Sequence, residues 1–372
     1  MAYSNIDKPS KYFNTILHTG NNTNPYSFTG VGFQPDFIWG KGRNNTFSHA
    51  LFDSVRGVNK YLSSNGTSAE ITNPTSGYLS SFNSDGFTAV AGTSNFANFN
   101  DNTINTPSTY VFWNWLANGA GVSNTAGSIS STVSANTTSG FSIVTWSGSG
   151  TNDQTIGHGL GVAPSFIIHK NRTYGSGDAT GHWIVKTKDK INSSGSGSIL
   201  YLNQTNAYSD NVHGTLITSG STLLQVKGGS GSPSDFWVNA SGSNYVAYCF
   251  AEVKGFSKAF SYTGNGSTDG VFTYCGFRPA WILLKKSDGS TQNWVMHDSK
   301  RNTYNLSQNK LFANLSDAEG TDATNYNLDI LSNGFKLRSS NSDVNSSGGA
   351  YIGFAIAESP FVSSKGVPVC AR

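Results

Sequence analysis

Three stretches decide the fold: Val31–Lys41 reads VGFQPDFIWGK, Leu160–Lys170 reads LGVAPSFIIHK and Cys275–Lys285 reads CGFRPAWILLK. Each carries a glycine, a proline three residues later, and then an aromatic at +2, isoleucine at +3 and lysine at +6 from that proline. The prolines, Pro35, Pro164 and Pro279, recur at roughly 115 to 130 residues, too long for a solenoid unit and suited to tandem copies of a small domain. Short apolar runs bounded by proline and by lysine or glycine read as strands buried on both faces.

The likeness continues outward from the prolines. Gly20, Gly148 and Gly264 precede them by 15, 16 and 15 residues. Downstream, Asp53-Ser54-x-Arg56 returns as Asp298-Ser299-x-Arg301, while the second copy has WIVKTKDK there. Asparagine with alanine four residues on follows in every copy, as Asn65 and Ala69, Asn203 and Ala207, Asn314 and Ala318. SDGF and SNGF place Asp-Gly or Asn-Gly between extended flanks, a strong hairpin signal. The copies close on YVFWNWLA, YVAYCFAE and YIGFAIAE, alternations that fit a strand with one packed face. The expected fold is all-β, as three tandem related jelly-roll or lectin-like antiparallel β-sandwich domains of seven or eight strands each.

Composition places the boundaries. Residues 1–119 form the first sandwich, 140–254 the second and 255–361 the third, with 362–372 as a C-terminal arm. The intervening 120–139 is rich in glycine, serine and threonine and reads as a linker able to add an edge strand. Charged residues make up only 12% of the chain and its formal net charge is +3, without a basic run, so a nucleic-acid partner is not expected. Three cysteines, Cys249, Cys275 and Cys370, lack metal or disulfide spacing, and Cys249 in an apolar run reads as a buried small hydrophobe. MAYSNIDKPSKYF has no signal-peptide pattern and no run approaches 18 apolar residues, so neither export by a leader nor membrane insertion is expected.

Catalytic chemistry is sparsely signalled. Asp-Ser-x-Arg has no histidine or nucleophile in register with it, although His49 and His297 lie nearby, so Asp53, Arg56, Asp298 and Arg301 are read as ion pairs or turn bonds fixing strand ends. Pro35, Pro164 and Pro279 are structural on the same reasoning. Glu252 and Glu358 share one repeat position, which argues against a glycosidase carboxylate pair. No metal site and no cofactor are expected. Exposed aromatics would suit sugar stacking, and Trp115 and Trp237 are the candidates for glycan binding.

Taken together, MAYSNIDKPSKYF, GFQPDFIWGKGR, LFDSVRG, WNWLANG, GFSIVTWSG, HGLGVAPSFIIHK, SYTGNGSTDG, GFRPAWILLKK, SNGFKLRSSN and AESPF resemble virion-associated proteins of marine tailed phages, cyanophages among them. The resemblance implies concanavalin-like modules in a tail or fibre component, assembled in the host cytoplasm, released by lysis and displayed on the virion surface. It implies other virion proteins as partners, a homo-oligomer such as a trimer or ring, and host-surface glycan as a ligand. Capsid decoration or a head fibre is the alternative, and a host polysaccharide depolymerase a second. The second repeat departs from the pattern, which speaks against three equivalent binding sites.

Overall fold

The computed structural model describes residues 4–72, 77–92, 99–103, 107–173, 181–190, 199–209, 214–227, 237–289, 291–322 and 324–369. These are all-β apart from 3-10 conformation at Pro9–Lys11 and at Trp237. The first repeat contributes β1 (Phe13–Thr19), β2 (Tyr26–Phe28), β3 (Phe37–Gly42), β4 (Ala50–Asp53), β5 (Tyr78–Asn83), β6 (Gly86–Val90) and β7 (Thr109–Trp115). A sheet β1-β7-β3-β4 faces a smaller one, β2-β6-β5.

In the second repeat come β8 (Val122–Asn124), β9 (Ser131–Asn136), β10 (Phe141–Ser147), β11 (Thr155–Gly157), β12 (Phe166–Asn171) and β13 (Trp183–Thr187). They continue with β14 (Leu200–Tyr201), β15 (Thr215–Ser219), β16 (Leu223–Lys227) and β17 (Asn244–Phe250). The sheets are β14-β13-β12-β17-β10-β9-β8 and β11-β16-β15. The segment 120–139 is therefore sheet rather than a loose tether: β9 pairs with β10, β8 pairs with β9, and Ile129 bridges Ile156 of the smaller sheet.

The third repeat holds β18 (Ser257–Thr263), β19 (Phe272–Tyr274), β20 (Phe277–Lys286), β21 (Val295–Asp298) and β22 (Asn309–Phe312). After them run β23 (Gly320–Thr321), β24 (Leu328–Leu331), β25 (Gly334–Leu337) and β26 (Ala350–Pro360). Its sheets are β18-β26-β20-β21-β22-β23 and β19-β25-β24. The strand ladders within the three sandwiches are antiparallel, and the order first strand, closing strand, proline-led strand repeats in each larger sheet as β1-β7-β3, β10-β17-β12 and β18-β26-β20.

The repeated landmarks have local causes. Pro35 and Pro164 stand just ahead of β3 and β12, where a missing N–H leaves no ladder bond open, and Pro279 sits at a register shift between β20 and β26. Gly20, Gly148 and Gly264 are each pressed against a carbonyl, of Asp101, Ala240 and Ser346, where a Cβ has no room. The tail after β26 is tied back, since Asp7 accepts from Ser364 N at 2.7 Å and from Ser364 Oγ. Cys370 lies outside the described residues.

The three sandwiches do not keep to themselves. Facing sides of all three larger sheets form one apolar cluster that takes in Phe37, Trp39, Trp113 and Trp115, then Phe141, Phe166, Tyr248 and Phe250, then Trp281, Leu283, Phe354 and Ile356. The interiors of the first and second sandwiches are separate, smaller clusters. Rings meet across the repeats: Phe37 on Tyr248 at 4.2 Å, Phe166 on Phe354 at 5.5 Å and Trp115 on Trp281 at 5.5 Å between centroids. A space lined by Tyr12, Trp115, Gly140, Phe250, Phe256 and Ile356, contributed by all three repeats, amounts to only 10 Å³, so this shared core is filled.

Candidate functional site

The chemistry-bearing residues gather at the seams between repeats, and they do so in cyclic order. The segments after the repeated asparagines each reach the next repeat: Glu70 N donates to Arg172 O at 2.9 Å, Tyr208 N to Ser287 O at 3.0 Å, and Glu319 N to Arg43 O at 2.5 Å. The asparagines anchor those segments within their own repeat, with the Oδ1 atoms of Asn65, Asn203 and Asn314 accepting from the N–H of His49, Trp183 and Trp294. The same three rings then point backward across the seams. Trp183 Nε1 donates to Ser63 O at 2.7 Å, Trp294 Nε1 to Tyr201 O at 2.8 Å, and His49 Nε2 lies 3.0 Å from Phe312 O. Repeat one is thus joined to two, two to three, and three back to one.

Buried ions reinforce two of the seams. Arg56 is wholly buried and donates to Asp53 Oδ2 at 2.5 Å, Glu70 at 3.0 Å and Leu51 O at 2.8 Å. From the second repeat, Arg172 grips Glu70 through two bonds of 2.8 and 2.9 Å and Tyr248 donates to Asp53 Oδ2 at 2.8 Å. At the seam of repeats three and one, Arg301 bonds Asp298, Glu319 and Met296 O, Arg43 grips Glu319, and Trp113 Nε1 donates to Asp298 at 3.0 Å. Burial by itself raises the Glu70 carboxyl, but the bonds and charges of Arg172 and Arg56 hold it below the ordinary carboxylate range. Asp53, Arg56, Asp298 and Arg301 therefore fix strand ends and also carry the seams.

The third seam has lost every member of this set together. Thr187, Lys190 and Tyr208 stand where Asp53, Arg56 and Glu70 stand, and Ser287 and Phe354 replace the Arg172 and Tyr248 positions. Hydroxyls substitute, with Tyr208 OH bonded to Thr187 Oγ1 and to Asp189, and Lys190 above the Tyr208 ring.

The lysines at +6 complete the pattern. Lys41, Lys170 and Lys285 are buried and donate to backbone carbonyls; Lys170 reaches Thr67 O at 3.1 Å and Lys285 reaches Thr205 O at 2.9 Å, each in the preceding repeat. Desolvation brings all three ammonium groups down to about 7. His49, beside Asp53 in sequence, has Nδ1 accepting from Trp39 Nε1 at 2.9 Å and is held neutral by burial, down to about 3, as is His297. Neither imidazole is available as a base. Glu252 and Glu358 make their own ion pairs, with Lys188 and Arg278. Among the described residues no group of three or more His, Cys, Asp or Glu is placed to hold a metal, and no helix is long and apolar enough to cross a membrane.

Both tryptophans expected to stack on sugar are corrected to core residues. Trp115 is 2% exposed, with Phe13, Phe37 and Trp281 around it at 4.8 to 5.5 Å. Trp237 is 3% exposed, against His182 and Tyr201 at 5.7 and 5.4 Å. The run FWNWLANG places Trp115 at the end of β7 on the face shared by the repeats. Cys249 and Cys275 are also buried, their thiols pushed up to about 12 by desolvation. Neither is expected to react with iodoacetamide near neutral pH until the protein is denatured, which peptide mass mapping checks.

Among the described residues, a large opening lies where the third sandwich meets the weaker junction. It is a cleft of about 590 Å³ lined by Thr187, Asp189, Lys258, Phe260, Tyr262 and Phe272, and by Thr273, Tyr274 and Gly353 among others. Its counterpart at the seam of repeats three and one, lined by Phe13, Asn14, Thr15, Ser299 and Lys300, holds only 60 Å³. Sequence reading missed this cleft.

No curated protein and no solved structure matches the chain. The family model that does match covers residues 8–360, so the three repeats and their seams fall within a single family unit. The chain belongs to the family described as a domain of unknown function, DUF7483.

Proposed function

We propose that this protein is a structural component of a tailed-phage particle, exposed on its surface in the tail or tail fibre, and that it is not an enzyme. The observation that carries this reading is the ring closure: three sandwiches share one core, and buried ions, His49, Lys170 and Lys285 hold one repeat to the next. Such a unit is stiff, and its buried seam carboxylates are engaged by arginines, which suits a part that transmits contact. The sequence resemblance to virion proteins supports the same reading. Partners in it are other virion proteins, further copies of the chain as a trimer or ring, and host-surface glycan.

Immunogold labelling of purified particles tests the placement. Label on the tail or fibres is expected; label on the head would move the protein to capsid decoration or a head fibre, and particles without label would contradict the reading. Incubation with host capsule or lipopolysaccharide is expected to release no reducing ends. Their release would restore the depolymerase alternative.

A further inference from the structure

The cleft beside the third sandwich is the empty counterpart of a slot that the chain fills elsewhere. Its walls are residues 258–262 of β18, 272–274 of β19 and the turn at 187–189, which correspond in the preceding repeats to 142–146 of β10, 155–157 of β11 and 53–55. Matched ladders fix the correspondence: Phe260 pairs with Gly353 as Val144 pairs with Ala247, and Tyr274 with Gly334 as Gly157 with Leu223. At the seam of repeats one and two all three walls are in contact with residues 117–136. There β9 pairs along β10, Ile129 N donates to Thr155 O at 2.9 Å, Ser131 Oγ to Gly157 O at 3.0 Å and Ser54 Oγ to Gly119 O at 2.6 Å. Val133, with Ile129 and Ala135 beside it, closes the interior of the second sandwich.

The third sandwich receives no such segment. Residues 116–140 lie between β7 and β10, whereas 251–256 alone separate β17 from β18. β18 is the edge of its sheet; Val253 bridges its first residue, Ser257, and no further strand follows among the described residues. Backbone groups that face the added segment in repeat two are held here by charged side chains. Ala259, at the place of Ile143 opposite Ser134, donates its N–H to Glu252 Oε1 at 3.2 Å. Tyr274 O, at the place of Gly157 O, accepts from Lys258 Nζ at 2.9 Å. Glu252 is tied in turn to Lys188 at 2.7 Å, a pair that is 32% and 59% exposed, and solvent-reached pairs of this kind are weakly held. Lysine and other charges laid across a sheet edge guard groups that otherwise take a further strand.

We propose that this slot takes an extended segment of a partner polypeptide as an added antiparallel strand on residues 259–263 of β18, with Glu252 and Lys258 as the latch it displaces. The filled slot states the chemistry of the occupant: small neutral residues, mostly serine and threonine, with aliphatic side chains at the places of Ile129 and Val133 turned toward Tyr262 and Phe260. In this chain the stretch with that pattern is already seated in the first slot, so the occupant comes from a different protein. It lies against both β18 and 187–189, as 117–136 lies against both β10 and Ser54, and so continues the seam of repeats two and three. The particle reading supplies only the source of that protein. Failure of the labelling experiment would leave the slot intact, and failure here would leave the placement intact.

Fluorescence anisotropy on the full chain tests it, with a labelled peptide of the sequence 127–136, GSISSTVSAN, as the probe. Saturable binding is expected, tightened about tenfold in Glu252→Ala Lys258→Ala, where no side chain competes for the edge. By alternation along the strand the N–H of Ser261 points outward as that of Ala259 does. Ser261→Pro removes it at an exposed edge position, where proline is tolerated, and should abolish binding. In the wild type the peptide should slow hydrogen exchange at Ser261 and Thr263, a readout that needs no variant to fold. The proposal is overturned if the peptide does not bind, if it binds only once Glu252 and Lys258 are removed, or if Ser261→Pro binds as the wild type does. Protection of Ser261 that follows protein concentration without peptide would overturn it too, by making a second copy the occupant.

Discussion

Replacing Arg56 by alanine is expected to lower the unfolding free energy by about 3–5 kcal/mol, the usual consequence of removing one partner from a buried ion network. The guanidinium is fully buried and bonded to Asp53, Glu70 and Leu51 O, with Tyr248 of the second repeat completing the site. Without it, two carboxylates are left facing one another in a desolvated seam. Lysine in its place would not restore the site, because a single ammonium lacks the fork that reaches both carboxylates and a carbonyl. Arg301→Ala should behave alike, since its partners repeat at Asp298, Glu319 and Met296 O. Lys190→Ala, at the equivalent position of the second repeat, loses only a contact with the Tyr208 ring and should change stability by less than about 1 kcal/mol. Chemical denaturation of the three variants checks the contrast.

Stability should rise with pH from acid to mildly alkaline conditions, and the acid limb should be steep. His49, His169 and His297 fall from 6.5 to about 3 in the fold, and His158 to about 4, each chiefly through desolvation. A base whose folded affinity for protons is depressed binds more protons when unfolded, so its neutral burial favours the fold above pH 6.5 and is lost progressively as pH falls toward the folded value. Each tenfold difference in proton affinity is worth about 1.4 kcal/mol, so four imidazoles remove a large part of the total between neutral pH and about 4. Glu70, held low by its arginines, adds to the same limb, while Asp36, raised by burial, runs against it. Lys41, Lys170 and Lys285 act by the same rule higher up, adding stability as pH rises from about 7 toward 10.5. Above that, tyrosines such as Tyr61 and Tyr201, raised to about 12 by burial, are ionised only in the unfolded chain and stability should fall. Melting temperatures from pH 4 to 11 should peak on the alkaline side of neutral, and a maximum near pH 5 would contradict the assignment of buried neutral imidazoles.

What could be read from the sequence was what the backbone needs locally. Glycines pressed on carbonyls and the prolines at the start of the central strand repeat in all three sandwiches, and Asp-Gly or Asn-Gly hairpins in the first and third, because the copies make the same turns. The seams were only half legible. Asp-Ser-x-Arg was visible as a repeated pair, but its partners Glu70, Arg172 and Tyr248 come from distant segments of two repeats. A usable signal was present in the joint loss of Asp, Arg and Glu from repeat two, where Thr187, Lys190 and Tyr208 stand. Trp115 was read as an exposed aromatic, whereas the face of β7 that carries it is covered by Phe37, Phe141 and Trp281 from all three repeats. Phe272 and Tyr274 passed unnoticed since period alone does not tell an outward aromatic on an edge strand from an inward one.

The central claim is that the three repeats fold as one closed unit, and native-state hydrogen exchange of the wild type and Arg56→Ala tests it most directly. Amides of β20 and β26 lie in the third repeat, which supplies none of the groups bonded to Arg56. In a single cooperative ring they should lose protection by the same free energy as amides of β3 and β7. Protection unchanged in β20 and β26 while β3 and β7 open would show three domains merely strung together, and would contradict the ring.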